Sequence, residues 1–247
     1  MRLFHYICNT SAQFFHHKSH FYSDHTMDQD KLRELKIQLR RHMNGTTASI
    51  MKSLDNAYAA NYGLSLQHAR DVAASIPLTP DECDYLWSTR WRDFMLIAAA
   101  AMAPHDPAPE RLLPWVASIP SVEMVEMLPF LLTGKISRAA DLAFALAERA
   151  EPYDLAVAFG TLARHIQNGH AADDAPTAQS IFATALSHPT WSKPEASALS
   201  LLARQCLRHG IALPSVESVK TAAAAHDDAP SRLLAQEIDD ERQFLNA

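Results

Sequence analysis

From Asp28 onward, apolar residues recur at three- and four-residue spacing, and short clusters of turn residues interrupt the pattern before any stretch grows long. Side chains so spaced lie on one face of an α-helix, so each stretch reads as an amphipathic helix and each interruption as a connection. No run alternates with period two over a convincing length, which leaves no strand for a sheet. The expected fold class is all-α.

The stripes and their breaks place the helices. Leu32, Leu35, Ile37, Leu39 and Met43 form the first stripe, and Asn44-Gly45 ends it. A second helix is predicted over 46–60, with Ala57 and Tyr58 on its apolar side. It stops at Asn61-Tyr62-Gly63, where Gly63 supplies a left-handed position. Ser65 caps a third helix through Ala74, with Leu66, Ala69, Arg70 and Ala73 on one face. Thr79, Pro80 and Glu82 make a capping box with proline at the first helical position, and the short helix they open ends at Leu86 and Trp87. The stretch 89–102 is apolar nearly all round and belongs deep in the core. Further helices are expected over 109–117, 121–132, 137–147, 152–168, from after Asp173-Asp174 to 187, and over 194–209, 216–225 and 230–244.

Short connections turn successive helices back on one another. One helix pair cannot bury its own apolar face, so pairs stack. The predicted architecture is a set of HEAT-like antiparallel helical repeats stacked as a curved α-solenoid, with 27–247 as one domain. No repeat is exact, and a compact helical bundle is the competing arrangement. Glycine numbers only 6, fewer than a large β-sandwich or a dinucleotide-binding sheet needs for its turns.

The first 26 residues differ from the rest. They hold five of the 13 histidines (His5, His16, His17, His20 and His25), dense aromatics and no helical period. Three readings stand: a disordered tail, an upstream extension of a protein that starts at Met27, or a metal-binding tract. No carboxylate completes a defined metal site, so neither metal nor cofactor is expected.

The formal net charge is −6, and no basic stripe is visible in the sequence, which lowers the odds of tight non-specific DNA binding without excluding a local basic groove. Cys8, Cys83 and Cys206 lie far apart with no zinc spacing, which fits a reduced, cytoplasmic setting. No apolar run reaches membrane-spanning length, so no membrane partner is expected.

Motifs with chemistry are scarce. The chain has no phosphate-binding glycine loop, no HExxH, no GxSxG and no calcium loop. Trp87 and Trp91, with Arg90, Arg92 and Asp93, cross from one helix to the next. They read either as a groove wall that stacks on a base and follows a phosphate, or as two core tryptophans with Asp93 pairing to Arg90 across a tight turn. Trp115 and Trp191 stand alone. Glu123 and Glu126 share a helix face; paired carboxylates can do acid–base work, although such a surface is common. His165 and His170, five apart across Gly169, have poor ligand spacing for one helix face.

Taken together, Met43-Asn44-Gly45, the stretch Asn61-Tyr62-Gly63-Leu64-Ser65-Leu66, and Leu86-Trp87 with Trp91-Arg92-Asp93 before an apolar helix resemble the AlkD-type DNA alkylation repair family, in a divergent branch. The resemblance implies a curved stack of HEAT-like repeats with a concave face for double-stranded DNA. It also implies, for active members, excision of cationic alkylated purines. There an aspartate stabilises the positive charge that develops on the sugar, helped by tryptophan and arginine. The family's Trp-x-x-x-Asp pair falls on Val122 and Glu126, so Glu126 is the catalytic candidate the resemblance supplies. No arginine matches within Leu155-Ala156-Val157-Ala158, and Arg164, further along, is expected to point elsewhere. Three functions follow as expectations: a non-catalytic or altered helical module that binds DNA or another protein; an alkylpurine DNA glycosylase acting through Glu126, with Trp87, Arg90, Trp91, Arg92 and Glu123 holding the duplex; or a protein-binding adaptor.

Overall fold

A computed structural model describes residues 27–52, 57–149, 151–187, 190–211, 214–225 and 228–247; the expected leader lies outside them. Among the described residues the chain forms helices and no strand, joined only by an isolated bridge between Ala60 and Trp91. The helices are α1 (Gln29–Arg41), α2 (Gly45–Lys52), α3 (Leu66–Ser75), α4 (Pro80–Ser88), α5 (Arg92–Met102), α6 (Pro109–Ala117), α7 (Val122–Leu131), α8 (Ala139–Ala147), α9 (Asp154–His165), α10 (Ala171–Ser187), α11 (Lys193–Arg208), α12 (Pro214–Ala224) and α13 (Ala229–Leu245). No described helix is long and apolar enough to cross a membrane.

Local signals set most boundaries. Asp28 caps α1 by accepting from the backbone of Asp30 and Lys31, and Leu32, Leu35 and Leu39 are its buried stripe. Ile37 and Met43, expected on that stripe, are exposed: Ile37 falls off the 32-35-39 line, and Met43, which continues it, lies beyond the end of the helix at Arg41. Thr79 and Glu82 close the predicted capping box on α4. A second box, Ser192 with Glu195, starts α11 one residue before the expected Pro194.

The predicted helix over 46–60 is corrected. α2 ends at Lys52, and from Ala57 to Ser65 the backbone runs outside any helix. This segment lies along the turn before α5: Ala59 donates its N–H to the Arg90 carbonyl, and Arg92 donates to the Ala60 carbonyl, both at 2.9 Å. Gly63 does take the left-handed conformation, at φ +73°. A Cβ there would sit 2.2 Å from the Asn44 carbonyl oxygen, so glycine is required for close approach as well as for φ.

Helix contacts fall into two rows. α3, α5, α7, α9, α11 and α13 touch in that order, each being the next helix but one along the chain. α6, α8, α10 and α12 make a second row in the same way, and α4–α5, α8–α9 and α12–α13 contacts tie the rows together. The apolar faces of both rows meet in one core that includes Phe94, Phe159 and Phe182, all essentially inaccessible. Burying rings of this size is the main stabilising term in such a stack.

Candidate functional site

The aromatic and charged residues around Trp87 to Asp93 form an internal knot. Trp87 is buried, stacks on Trp115 with centroids 4.4 Å apart, and donates its indole N–H to Ser118 Oγ at 2.9 Å. Trp115, solitary in the sequence, is its structural partner and donates to Asp84 at 2.7 Å. The groove wall expected of Trp87 is therefore not at the surface: an apolar face this large is better satisfied against a second indole. Trp91 is half-buried and stacked on Phe94. Arg90 is exposed at φ 57°, and its guanidinium donates to the Ala57 carbonyl at 3.5 Å.

Arg92 is buried and committed. Its Nε and Nη2 fork onto the Glu123 carboxylate at 2.6–3.0 Å, and Nη1 donates to the Leu64 carbonyl at 2.9 Å. Glu123 also accepts from Tyr58 Oη at 3.0 Å, and Ser121 Oγ donates to Tyr58 Oη at 2.6 Å. Burial, then the Glu123 charge, push the Tyr58 hydroxyl well above its ordinary value. Asp93 accepts the backbone N–H groups of Tyr62 and Leu64 at 2.7 and 2.8 Å. Its nearest cation is Arg92 at 3.5 Å, not the expected Arg90. The network fastens the extended segment before α3 to α5 and α7. A buried guanidinium that forks onto a carboxylate and spans to a carbonyl has its charge already matched, which leaves it poorly placed for a phosphate.

Glu126 sits elsewhere. One turn beyond Glu123 on α7, it is exposed and lines a cleft of about 230 Å³ with Pro129, Gly160, Arg164, Ser197 and Arg204, between α7, α9 and α11. The expectation that Arg164 points away from Glu126 is corrected. Two glycines allow the approach. A Cβ on Gly134 would lie 2.3 Å from Arg164 Cβ, and one on Gly160 would lie 3.0 Å from Pro129. Any side chain at Gly134 would drive α9 back from the turn after α7.

The cations continue along this face. Arg164 lies over the Phe130 ring at 5.2 Å from its centroid, and Lys135 approaches the same ring at 5.8 Å. Burial lowers the proton affinity of Arg164; Glu126 opposes that shift and Arg204 adds to it. Burial likewise lowers the Lys135 pKa, with Arg70 as the second cause. Arg204 pairs with Glu237 at 3.5 Å, while its buried Nε has no acceptor among the described residues. Arg70, Lys135, Arg164 and Arg204 thus stand along one row of helices and turns, close enough for neighbours to feel one another's charge.

His165 and His170 also depart from their expected spacing. The segment Ile166–His170 is kinked at Gly169, at φ +106°, and brings positions five apart together, so that the rings stack at 4.0 Å. His165 Nδ1 is 2.7 Å from Asp174 Oδ2. Asp174, expected before its helix, is inside the first turn of α10 and buried.

The family model described as DNA alkylation repair enzyme matches residues 35–202, well over half of the chain. The chain belongs to that family. No curated protein and no solved structure matches it. In this member of the DNA alkylation repair family, Val122 and Glu126 stand one turn apart on the exposed side of α7, and no aromatic ring occupies the first position. Of the residues picked from the sequence, Glu126 alone lies in the α7–α9–α11 cleft. Arg164, Arg204, Lys135 and Phe130 share its face but were not legible, because packing, not spacing, brings them together.

Proposed function

We propose that this DNA alkylation repair family protein is a HEAT-like, curved α-solenoid that binds double-stranded DNA along its α3–α13 row. The observation that carries the reading is the line of Lys135 and Arg164 over Phe130 with Arg204 beside Arg164, a local concentration of positive charge on a chain whose net charge is −6. Phosphates would be held by the guanidinium and ammonium groups, and the negative remainder of the surface would limit contact to this face. The buried, unpaired thiols of Cys83 and Cys206 support a reducing, cytoplasmic setting.

Glu126 places a carboxylate beside this line, where it would favour a cationic base or sugar. Excision is nonetheless weak in our reading. Val122 offers no ring to stack on the lesion, and glutamate carries its charge one methylene further from the backbone than aspartate. A misplacement of about 1 Å costs roughly 100-fold in rate. The chain is then a binding member of the family with altered or absent chemistry.

The test is fluorescence anisotropy with a short duplex across a salt series. With three phosphate contacts, log K should fall against log salt with a slope of about −3. Arg164→Glu should weaken binding and make the slope shallower. Salt-independent or undetectable binding at low salt would return the chain to a protein-binding role. Base release from methylated duplex, abolished by Glu126→Gln, would establish the glycosylase reading in place of the binding one.

A further inference from the structure

A second cavity is larger than the Glu126 cleft. It lies further along the same row, where α3, α5 and the turns after α5 and α7 meet, and has a volume of about 770 Å³. A bare ion needs far less space; the size suits an organic ligand. Its lining is divided by chemistry. Ala73, Ala74, Ala100, Ala101, Leu78 and Leu131 make an apolar floor without an aromatic ring, and Arg70 and Lys135 stand at the polar side.

Neither cation is paired with a carboxylate among the described residues. Asp71, the lining carboxylate, is engaged by the Gln67 side chain at 2.7 Å and forms no ion pair with Arg70. His105 is turned to the Leu78 carbonyl through Nε2 at 2.8 Å. Arg70 and Lys135 feel each other enough that Arg70 adds to the lowering of the Lys135 pKa that burial begins. Two like charges that face one cavity without a counter-charge favour an anion there, and a group bearing close to two negative charges is drawn more strongly than one bearing a single charge. A phosphomonoester carries about −1.5 to −2 at pH 7. The carboxylate of an organic acid supplies only one.

We propose that this cavity binds an organic phosphomonoester of mononucleotide size, its phosphate between Arg70 and Lys135 and its flat body on the alanine-lined floor. The phosphate forks onto the Arg70 guanidinium, with Lys135 as the second point charge. The body covers the apolar surface, which the ion alone would leave exposed. Such a group exists on a free nucleotide and on the 5′ end of a DNA strand. Lys135 also belongs to the proposed duplex line, so Arg70 and the alanine floor, which the Lys135–Arg164–Arg204 line does not include, separate this inference from duplex binding.

Isothermal titration of the full chain with dAMP, deoxyadenosine and inorganic phosphate tests it. dAMP should saturate one site, with deoxyadenosine and inorganic phosphate each at least about tenfold weaker. Arg70→Glu should weaken dAMP at least about tenfold while leaving duplex anisotropy within about threefold. Ala74→Leu, on the exposed edge of α3, should weaken dAMP and leave inorganic phosphate unchanged. A 5′-phosphorylated single strand tested against its unphosphorylated twin distinguishes the sources: a gain on phosphorylation marks a strand end, and equal affinity with retained dAMP binding marks the free nucleotide. Failure of dAMP to saturate at millimolar concentration, dAMP affinity unchanged in Arg70→Glu, or inorganic phosphate binding as tightly as dAMP would each overturn the proposal. Any of these with duplex binding intact would leave the DNA reading standing.

Discussion

Glu123 and Glu126 occupy the same face of the same helix, yet the two sides of α7 they serve differ in kind. Around Glu123 every charge has a partner: Arg92 forks onto it, Tyr58 donates to it, and Arg92 Nη1 donates to a carbonyl. Around Glu126 no ion-pair partner stands among the described residues; of the neighbouring arginines, Arg164 donates only to the neutral Gln167 side chain among them, at 2.8 Å, and Arg204 keeps one contact, to Glu237 at 3.5 Å. The first region spends its charge on holding an extended segment in place. The second leaves the Arg164 charge available to a ligand. A carboxylate's sequence neighbours therefore say little about its role; the saturation of the cations around it says more.

The sharpest way to break this contrast is to remove Arg92. Its loss leaves Glu123 half-buried with only Tyr58, and strips the Leu64 carbonyl of a donor. Breaking a buried pair from one side costs about 3–5 kcal/mol. Arg92→Ala should lower unfolding stability by that amount in urea titrations monitored by helix signal. Arg92→Lys should recover less than half, because an ammonium cannot fork. A loss below about 1 kcal/mol for Arg92→Ala would mean that the knot is no stronger than a surface pair, and the contrast would fail.

Asp154, at the start of α9, is a middle case. It is buried, and Arg149 Nε stands 3.0 Å from Oδ2, yet neither carboxylate oxygen has a well-aligned donor among the described residues. Burial raises its pKa to about 6, with Arg149 opposing. The folded chain therefore holds its proton over a window in which the unfolded chain has released it. Stability from this group is present below about pH 4 and declines as pH rises through about 6, on the order of 3 kcal/mol in all. Urea midpoints from pH 4 to 7 should show that decline in the wild type and a flatter profile in Asp154→Asn. An equally steep profile in the variant would assign the dependence to other groups.

The fold was largely legible because helix signals are local. Capping boxes, proline starts and the 3–4 spacing act within a few residues, and they set α1, α4, α5 and α7 close to where they stand. The segment 57–65 was not legible. Ala57 and Tyr58 continue the helical spacing, but Asp93 and the turn at Arg90 claim the backbone N–H groups of Ala59, Tyr62 and Leu64 from about thirty residues away. The site was legible in one residue, Glu126. Arg92 and Glu123 look like binding groups in one dimension and turn out to be each other's partners. Arg164 and Arg204 each look like an ordinary solvated arginine until Gly134 and Gly160 draw α9 toward α7.

The smallest expected effect is on Glu126 itself, and it sharpens the contrast most directly. Glu126→Gln removes a charge one turn from Glu123 while keeping the side chain's size. With no hydrogen bond or short ion pair to lose, unfolding stability should stay within about 0.5 kcal/mol of wild type. Duplex binding should move the other way. The carboxylate lies close enough to Arg164 to favour its charged form, so it also weakens the field that Arg164 offers a phosphate. Opposite charges about 6 Å apart in water interact by roughly 0.7 kcal/mol, so affinity at low salt should rise about threefold. Screening should erase most of that gain near physiological ionic strength. Weaker duplex binding in Glu126→Gln would show that the carboxylate contributes a direct contact, and the two sides of α7 would then be alike in using glutamate as a partner.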